Sequence, residues 1–494
     1  LLTLAPATLP RIDEVSINLP VLFFSLLAVC LVSVALAIFT ALRSTSRNSR
    51  VALSEGSHGG MGTPNKQRMG RLLAAAQLAT ALILLVGAAL LGRSLLHVLS
   101  VNSGFRTENI VTMDLGFPFD GSKPDRIAFL NQLFARLRQI PGVDEIGGTN
   151  NLPLSNAGFS EGSFVLMNPS QISPRIQDLI QLSLAGNLEK DHALLAEFTN
   201  FFDELFRDKS HLGEADFLVA SSGFFKALNI PLLHGRLFDE HDTIDAPHVA
   251  LISQSLAKQT WPNQDPIGRT IEFGNMDGDP RLLTIVGVVG DVRDHSLESA
   301  APPTVYVDYR QRPVAAYSFA VVLHTSANPD SVVAAARSIL HELDPNMPPR
   351  FNTLSEVYSA SLDARRFSFT LIIIFSLIAL LLAIAGIYGV ISYSVAQRTR
   401  EIGVRMALGA TTREVLLIVL KQGAITGAIG IAAGLFGSFA ITRLLQSQLF
   451  EISPTDPLTL LGASAMLLLV SLAACAIPGR RATRIDPVVA LRCE

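Results

Sequence analysis

FSFTLIIIFSLIALLLAIAGIYGVISYSVAQ, residues 367–397, runs for 31 residues without a charged side chain. A helix needs roughly 20 apolar residues to cross the ~30 Å hydrocarbon core of a bilayer, whereas buried helices of soluble proteins seldom run past about 15 without a charge. This stretch therefore reads as a membrane helix, and at 1.5 Å per residue it spans about 46 Å, more than the lipid core. Four further runs behave alike: 15–42, 72–92, 414–442 with its uncharged core at 422–442, and 457–479. The expected fold class is an α-helical membrane protein with five transmembrane helices and an α+β extracytoplasmic domain. Gly423, Gly427, Gly430, Gly434 and Gly437 suit close helix packing in lipid.

Composition agrees. Of 494 residues 49% are apolar and only 16% charged, against about 25% charged in an average soluble domain. The net charge of -3 and the apolar content exclude a disordered chain and a basic nucleic-acid-binding arm. Cys30 and Cys475 lie in apolar runs and Cys493 is next to last, so residues 94–366 must fold without disulfides. The run 15–42 is too long for a signal-peptide core and follows Asp13 and Glu14 rather than a basic patch, so it reads as a retained helix of a chain that starts further upstream.

Fifteen basic residues fall in three segments: Arg43, Arg47, Arg50, Lys66, Arg68 and Arg71 in the linker 43–71; Arg398, Arg400, Arg405, Arg413 and Lys421 around the loop 398–413; and Arg480, Arg481, Arg484 and Arg492 in the tail 480–494. The short segments on the opposite side carry Arg11 and Arg443. The positive-inside rule places the basic segments in the cytoplasm, with the N-terminus and residues 94–366 outside and the C-terminus inside the cell. Arg93, Arg365 and Arg366 oppose this but are outnumbered.

The outer block begins and ends with the same pattern. Val111, Met113, Leu115 and Phe117 alternate as a strand, Ile127, Leu130, Leu133, Phe134 and Leu137 recur at helical spacing, and Pro141-Gly142 closes the helix before another strand. Phe319, Val321 and Leu323 alternate again, a helix follows over 330–343 between Pro329 and Pro345, and 350–354 is extended. This predicts a split βαβ assembled from both ends, with everything between as an inserted subdomain. That insert offers strands at 282–289 and 304–309 and a helical stretch over 178–207. The stripe Leu194, Leu195, Phe198, Phe201, Phe202, Leu205 and Phe206 reads as packing, with no function assigned.

Residues 31–55 align without gaps on residues 469–493, agreeing at nine of 25 positions, including Arg43 with Arg481, Thr45 with Thr483 and Val51-Ala52-Leu53 with Val489-Ala490-Leu491. The agreement continues past the lipid into the basic tail. The first helix thus reads as the last helix of a preceding copy, and duplicated membrane units are a transporter habit.

Catalytic chemistry is missing. The chain has no G-x-x-x-x-G-K-[ST] loop, no H-E-x-x-H and no G-x-S-x-G, and no Cys/His ligand spacing. His341-Glu342 reads as a solvated helix end. Asp239, Glu240, His241 and Asp242 read as a solvated turn, since four adjacent residues cannot converge on one ion. No catalytic residue, cofactor or metal ligand is expected, and the chain is not expected to be an enzyme.

The informative polar piece is QRTREIGVRMALGATTREV, residues 397–415. Ile402, Met406 and Leu408 form a short apolar edge among Arg398, Arg400, Glu401 and Arg405, Gly409 suits a left-handed helix end, and Thr411-x-x-Glu414 reads as a capping box opening the next helix. A topology-holding loop accounts for the charge. A docking surface for a cytoplasmic partner accounts for the capped helix as well.

Here the chain resembles a family. GIYGVISYSVAQRTREIGVRMALGATTREVLLIVLKQG (386–423), SPTDPLTL (453–460) and RRATRIDPVVALR (480–492) are similar to the C-terminal module of FtsX-like permeases. PGVDEIGGTNNLPLS (141–155), LNIPLLHGRLF (228–238), WPNQDPIGRTIEFG (261–274) and TIVGVVGDVRD (284–294) resemble the MacB-like periplasmic core domain. Together they cover the chain from about Leu72 onward. RSTSRNSRVALSEG (43–56) resembles the junction in duplicated orphan permeases, where two such modules share one polypeptide and the first would here be missing but for its last helix. Residues 170–213 are longer and more helical than that subdomain leads one to expect.

The resemblance implies an inner-membrane permease subunit of an ABC-type exporter working by mechanotransmission, in which a separate cytoplasmic ATPase drives membrane helices whose motion reaches an outer domain. It implies that ATP-binding partner, an extracytoplasmic partner or substrate, and pairing with a first module as dimer or pseudo-dimer. Residues Arg398, Arg400, Glu401, Ile402, Arg405, Met406, Gly409 and Thr411 would form the ATPase-coupling loop. The alternative is a signalling or scaffolding membrane protein that regulates a cell-envelope enzyme.

Overall fold

The computed structural model describes residues 19–45, 64–117, 123–155, 161–167, 172–207, 209–274, 276–444, 449–453 and 455–483. The chain divides into two compact units, residues 1–99 with 363–494, and residues 100–362. Helices α1 (Leu19–Thr45) and α2 (Pro64–Ser100) open the first unit. Helix α2 is longer at both ends than the expected segment 72–92. Lys66, Arg68, Arg71 and Arg93 end the uncharged run without ending the helix, because a charge limits lipid exposure and not helicity.

The second unit is built on one mixed sheet of eleven strands. Strand β1 (Ile110–Gly116), helix α3 (Lys123–Leu137) and strand β2 (Val143–Thr149) form its first βαβ. There follow β3 (Glu161–Met167), helices α4 (Pro174–Leu184) and α5 (His192–Arg207), β4 (Leu212–Ala220), α6 (Ser222–Ala227), β5 (Leu232–Gly235), β6 (Val249–Ser253), α7 (Gln254–Thr260), β7 (Thr270–Glu272), β8 (Leu283–Val289) and β9 (Thr304–Asp308). Strand β10 (Ser318–Thr325), α8 (Pro329–Leu343) and β11 (Arg350–Thr353) form the second βαβ, and α9 (Leu354–Ser361) closes the unit.

The two βαβ units interleave in the order β11-β1-β10-β2, so each parallel pair is separated by an antiparallel strand from the other end of the unit. Met113 faces Val321 on one side and Phe351 on the other. The strands of the insert continue this same sheet through Thr149 opposite Ala220. Pairings β4-β3-β7-β8-β6-β9 return to β4, closing six strands on themselves and leaving no free edge in that ring. One core runs from Leu130, Phe134 and Phe319 to Phe164, Phe217, Phe273 and Ile285. The strands of the insert therefore share the core of the two βαβ units. Strands β3, β4, β6 and β7 lacked a sequence signal: β4 and β6 are buried on both faces over much of their length, so their residues do not alternate.

The helical stretch expected over 178–207 is broken into two. Gly186 takes φ +66, and Asp191 caps the second helix by accepting from the Ala193 and Leu194 amides at 2.9 and 3.3 Å. Leu194, Leu195, Phe198 and Phe201 pack onto Ile176, Leu179, Ile180 and Leu188 of this hairpin.

The first unit resumes with α10 (Asp363–Gln397), α11 (Thr399–Ala407), α12 (Thr412–Leu444) and α13 (Pro457–Ala482). Four helices among the described residues are long and apolar enough to cross a membrane: 68–100, 363–397, 412–440 and 457–481. Helix α1 (Leu19–Thr45) is not among these four, and the expected fifth span, 15–42, begins outside the described residues. The supposed loop 398–413 contains α11, and the outer block is trimmed to 100–362 because α2 and α10 extend beyond their uncharged cores. Gly430 and Gly434 of α12 leave room for Leu78 and Leu82 of α2, where a Cβ would stand within 3 Å of either side chain. The basic segments 46–63 and 484–494, including the last ten positions of each copy of the internal repeat, lie outside the described residues.

Candidate functional site

The turn between α10 and α12 is held by local chemistry. Arg398 leaves the helical conformation, and α11 starts at Thr399. At the other end Gly409 sits at φ +98, its amide donating to the Met406 carbonyl at 3.1 Å while the Ala410 amide reaches the Arg405 carbonyl at 3.0 Å. This pair of bonds is a Schellman closure, which needs a left-handed residue at Gly409. Thr411 and Glu414 then exchange bonds, the Thr411 amide donating to Glu414 Oε2 at 2.9 Å and the Glu414 amide to Thr411 Oγ1 at 3.4 Å. A nine-residue helix is thus bracketed by two stops between two membrane-length helices.

The residues singled out from the sequence divide between two faces. Ile402 lines a small cleft with Val415, Ile418 and Val419 of α12, and Met406 is half-buried. Arg398, Glu401 and Arg405 line the same cleft, with Arg405 Nη2 on Glu401 Oε1 at 2.8 Å. Arg400 belongs to α11 by position. Leu408 is not part of the inward edge: it stands at the C-cap, 83% exposed, and Val404 is exposed one turn before it. A helix turns 100° per residue, so Val404 and Leu408 share one face and Ile402 and Met406 another. Leu408 was legible as apolar; its exposure was not.

At the opposite ends of these helices, Ser94 is buried and accepts from the Phe450 amide at 3.0 Å, Arg93 pairs with Asp456, and His97 Nε2 lies 2.8 Å from Glu451 Oε2. The segment before α13 is thereby clasped to the end of α2.

The remaining titratable groups of note belong to the second unit. Arg312 is fully buried, donating to Asp277 Oδ1 at 2.9 Å, the Asp279 carbonyl at 2.8 Å, the Arg281 carbonyl at 2.7 Å and His248 Nδ1 at 3.1 Å. Burial and the adjacent Arg312 lower His248 to about 4, and burial raises Glu272 to about 7. Asp294, wholly buried and near Asp216, is raised to about 8. His295 Nε2 meets Asp216 Oδ2 at 2.7 Å. Sequence reading missed all of these, since no spacing brings 216 to 295 or 248 to 312. The polar run 239–242 is a turn organised by Arg236, which forks onto Asp242 at 2.7 and 2.8 Å. No group of metal-binding side chains occurs among the described residues.

A family model of the MacB-like periplasmic core domain matches residues 78–339, more than half of the sequence. The chain belongs to that family. A second model, the FtsX-like permease C-terminal domain, matches residues 373–487, so the MacB-like outer domain and the FtsX-like helices with α11 are joined in one polypeptide. This MacB-like chain is a multi-pass membrane protein with an extracytoplasmic domain. It is 28% identical over 280 residues to the macrolide export ATP-binding/permease protein MacB of Agrobacterium fabrum, covering 54% of this chain and 42% of that protein. It is 26% identical over 275 residues to the pyoverdine export ATP-binding/permease protein PvdT of Pseudomonas syringae pv. tomato, covering 54% and 41%. The chain spans less than half the length of these curated relatives. The crystal structure of the periplasmic region of MacB from Actinobacillus actinomycetemcomitans aligns with 53% of this chain and 96% of its own at 15% identity and a TM-score of 0.31.

Proposed function

We propose that this MacB-like chain is the permease module of an ABC-type exporter and works by mechanotransmission: a separate ATPase binds α11, and the movement passes through the membrane helices to the outer domain. The observation that carries this reading is the bracketed helix α11, which offers an exposed Val404–Leu408 face and is stopped at Gly409 and recapped at Thr411. A loop that only held topology would need charge, and would need neither a capped helix nor an exposed Leu. Export is supported by the printed names of the relatives, and the absence of a phosphate-cradling loop calls for ATP hydrolysis elsewhere. In this reading the N-terminus of the chain lies outside, the C-terminus and α11 lie in the cytoplasm, and α1 completes a preceding module that pairs with this one.

The test is reconstitution in lipid with a co-purified P-loop ATPase subunit. The permease alone should not hydrolyse ATP, and the complex should turn over ATP faster than the ATPase alone. Leu408→Glu, at an 83% exposed position, should remove most of that stimulation with folding unchanged. Unaltered stimulation would return α11 to the role of a topological anchor.

A further inference from the structure

Three buried hydroxyls of the membrane-length helices turn back onto their own backbone. Ser376 of α10 donates to the Ile372 carbonyl at 2.6 Å, Thr426 of α12 to the Gln422 carbonyl at 3.2 Å and Ser471 of α13 to the Leu467 carbonyl at 2.8 Å. Ser394 of α10 meets another helix. Its hydroxyl, on a residue 3% exposed, accepts from Gln422 Nε2 of α12 at 3.1 Å, and Gln422 Oε1 lies 3.4 Å from the same oxygen. Both side chains line the cleft that holds Ile402, Val415 and Val419, so the bond spans the two helices that α11 connects.

Helix α13 is fastened to the same ends. Arg481 Nη1 donates to Tyr388 Oη of α10 at 3.1 Å. Gly423, next to Gln422, lets α12 press on α13, since a Cβ there would stand 2.2 Å from Cys475 Sγ. Gly479 does the same from α13, where a Cβ would stand 2.7 Å from Leu416.

We propose that Ser394 and Gln422 form a clamp that makes α10, α12 and α13 move as one block, so that force received at α11 displaces the block instead of opening the turn between α10 and α12. Apolar contacts alone would hold α10 to α12 weakly, because lipid tails offer the same contacts to either helix once they part. A hydrogen bond between side chains has no substitute in hydrocarbon, which is why this pair decides whether the two helices stay together. Both are positioning residues that act through α11. The clamp rests on the proposed role of α11 and adds to it the element that turns docking into movement.

The test titrates the P-loop ATPase subunit onto the reconstituted full chain and separates half-saturation, which reads docking, from maximal stimulation, which reads coupling. Ser394→Ala and Gln422→Leu should each lower maximal stimulation about threefold, the shift carried by one hydrogen bond between helices in a bilayer. Half-saturation should stay parental, since the exposed face of α11 is untouched. The double variant should do no worse than the more affected single, because both changes remove the same bond. Ser376→Ala, which removes a buried hydroxyl of α10 bonded within its own helix, should keep parental stimulation. Losses that multiply in the double variant, or an equal loss in Ser376→Ala, would mean general loosening of the helices and overturn the clamp. Leu408→Glu is measured alongside. Lost stimulation there with parental values in both clamp variants would overturn the clamp alone; parental stimulation in Leu408→Glu would overturn the role of α11 on which the clamp depends.

Discussion

Arg312 Nη1 stands 2.9 Å from Asp277 Oδ1, and the two side chains are 0% and 1% exposed. The guanidinium also takes the Asp279 and Arg281 carbonyls, so one buried cation ties the chain between β7 and β8 to the end of β9. Removing it would strand Asp277 and the already raised Glu272 in the interior. Arg312→Met should therefore cost about 3–5 kcal/mol, and Arg312→Lys somewhat less, since an ammonium cannot fork. Trp261, the sequence's one tryptophan and 5% exposed in this unit, reports the loss through its emission during denaturant unfolding. An unchanged midpoint in Arg312→Met would mean that the cluster contributes nothing.

Stability of the outer domain should fall as pH rises from about 6.5 to 8. Asp294 is raised to about 8 by burial and by Asp216, so its contribution is complete below its unfolded value near 3.8 and disappears as pH climbs through 8. Glu272, raised to about 7, adds to the fall until that point. His248, lowered to about 4, acts oppositely and only below about 6.5, where the unfolded chain takes up the proton first. Each raised acid contributes a slope of at most about 1.4 kcal/mol per pH unit. Asp294→Asn should remove most of the slope between pH 7 and 8 in Trp261-monitored unfolding; a slope that survives would point to other groups.

Gly409→Val should disturb the angle of α11 while leaving membrane insertion intact. At φ +98 a β-branched residue is strained by roughly 1 kcal/mol or more, and nothing crowds the position to account for an effect in any other way. Arg405→Glu replaces a half-exposed pair with Glu401 by two like charges, a change worth less than about 1 kcal/mol in the helix itself. Both variants should express at the parental level and show reduced ATPase stimulation. Parental stimulation in both would count against docking.

Membrane topology is open to single-cysteine labelling after replacement of Cys30, Cys475 and Cys493. An impermeant maleimide applied from outside should modify a cysteine at the exposed Lys226 and spare one at the exposed Thr411. Ser222 is half-buried at the start of α6 and labels less cleanly. The reverse pattern would invert the orientation drawn from the basic segments.

The amino-acid sequence by itself determined the membrane-length helices, the capped turn at Gly409 and Thr411, and the two βαβ units, because each depends on neighbours within one or two turns: an uncharged run, a residue free to take positive φ, a hydroxyl three residues from a carboxylate. It carried less of the insert, where β4 and β6 are buried too evenly to alternate and Gly186 divides what reads as one helix. Only the tertiary structure decided that β10 lies between β1 and β2, that six strands of the insert close on themselves, and that Arg312 meets Asp277. Such contacts join positions tens to hundreds of residues apart, and their selection rests on excluding water from a shared interior, which no local spacing records.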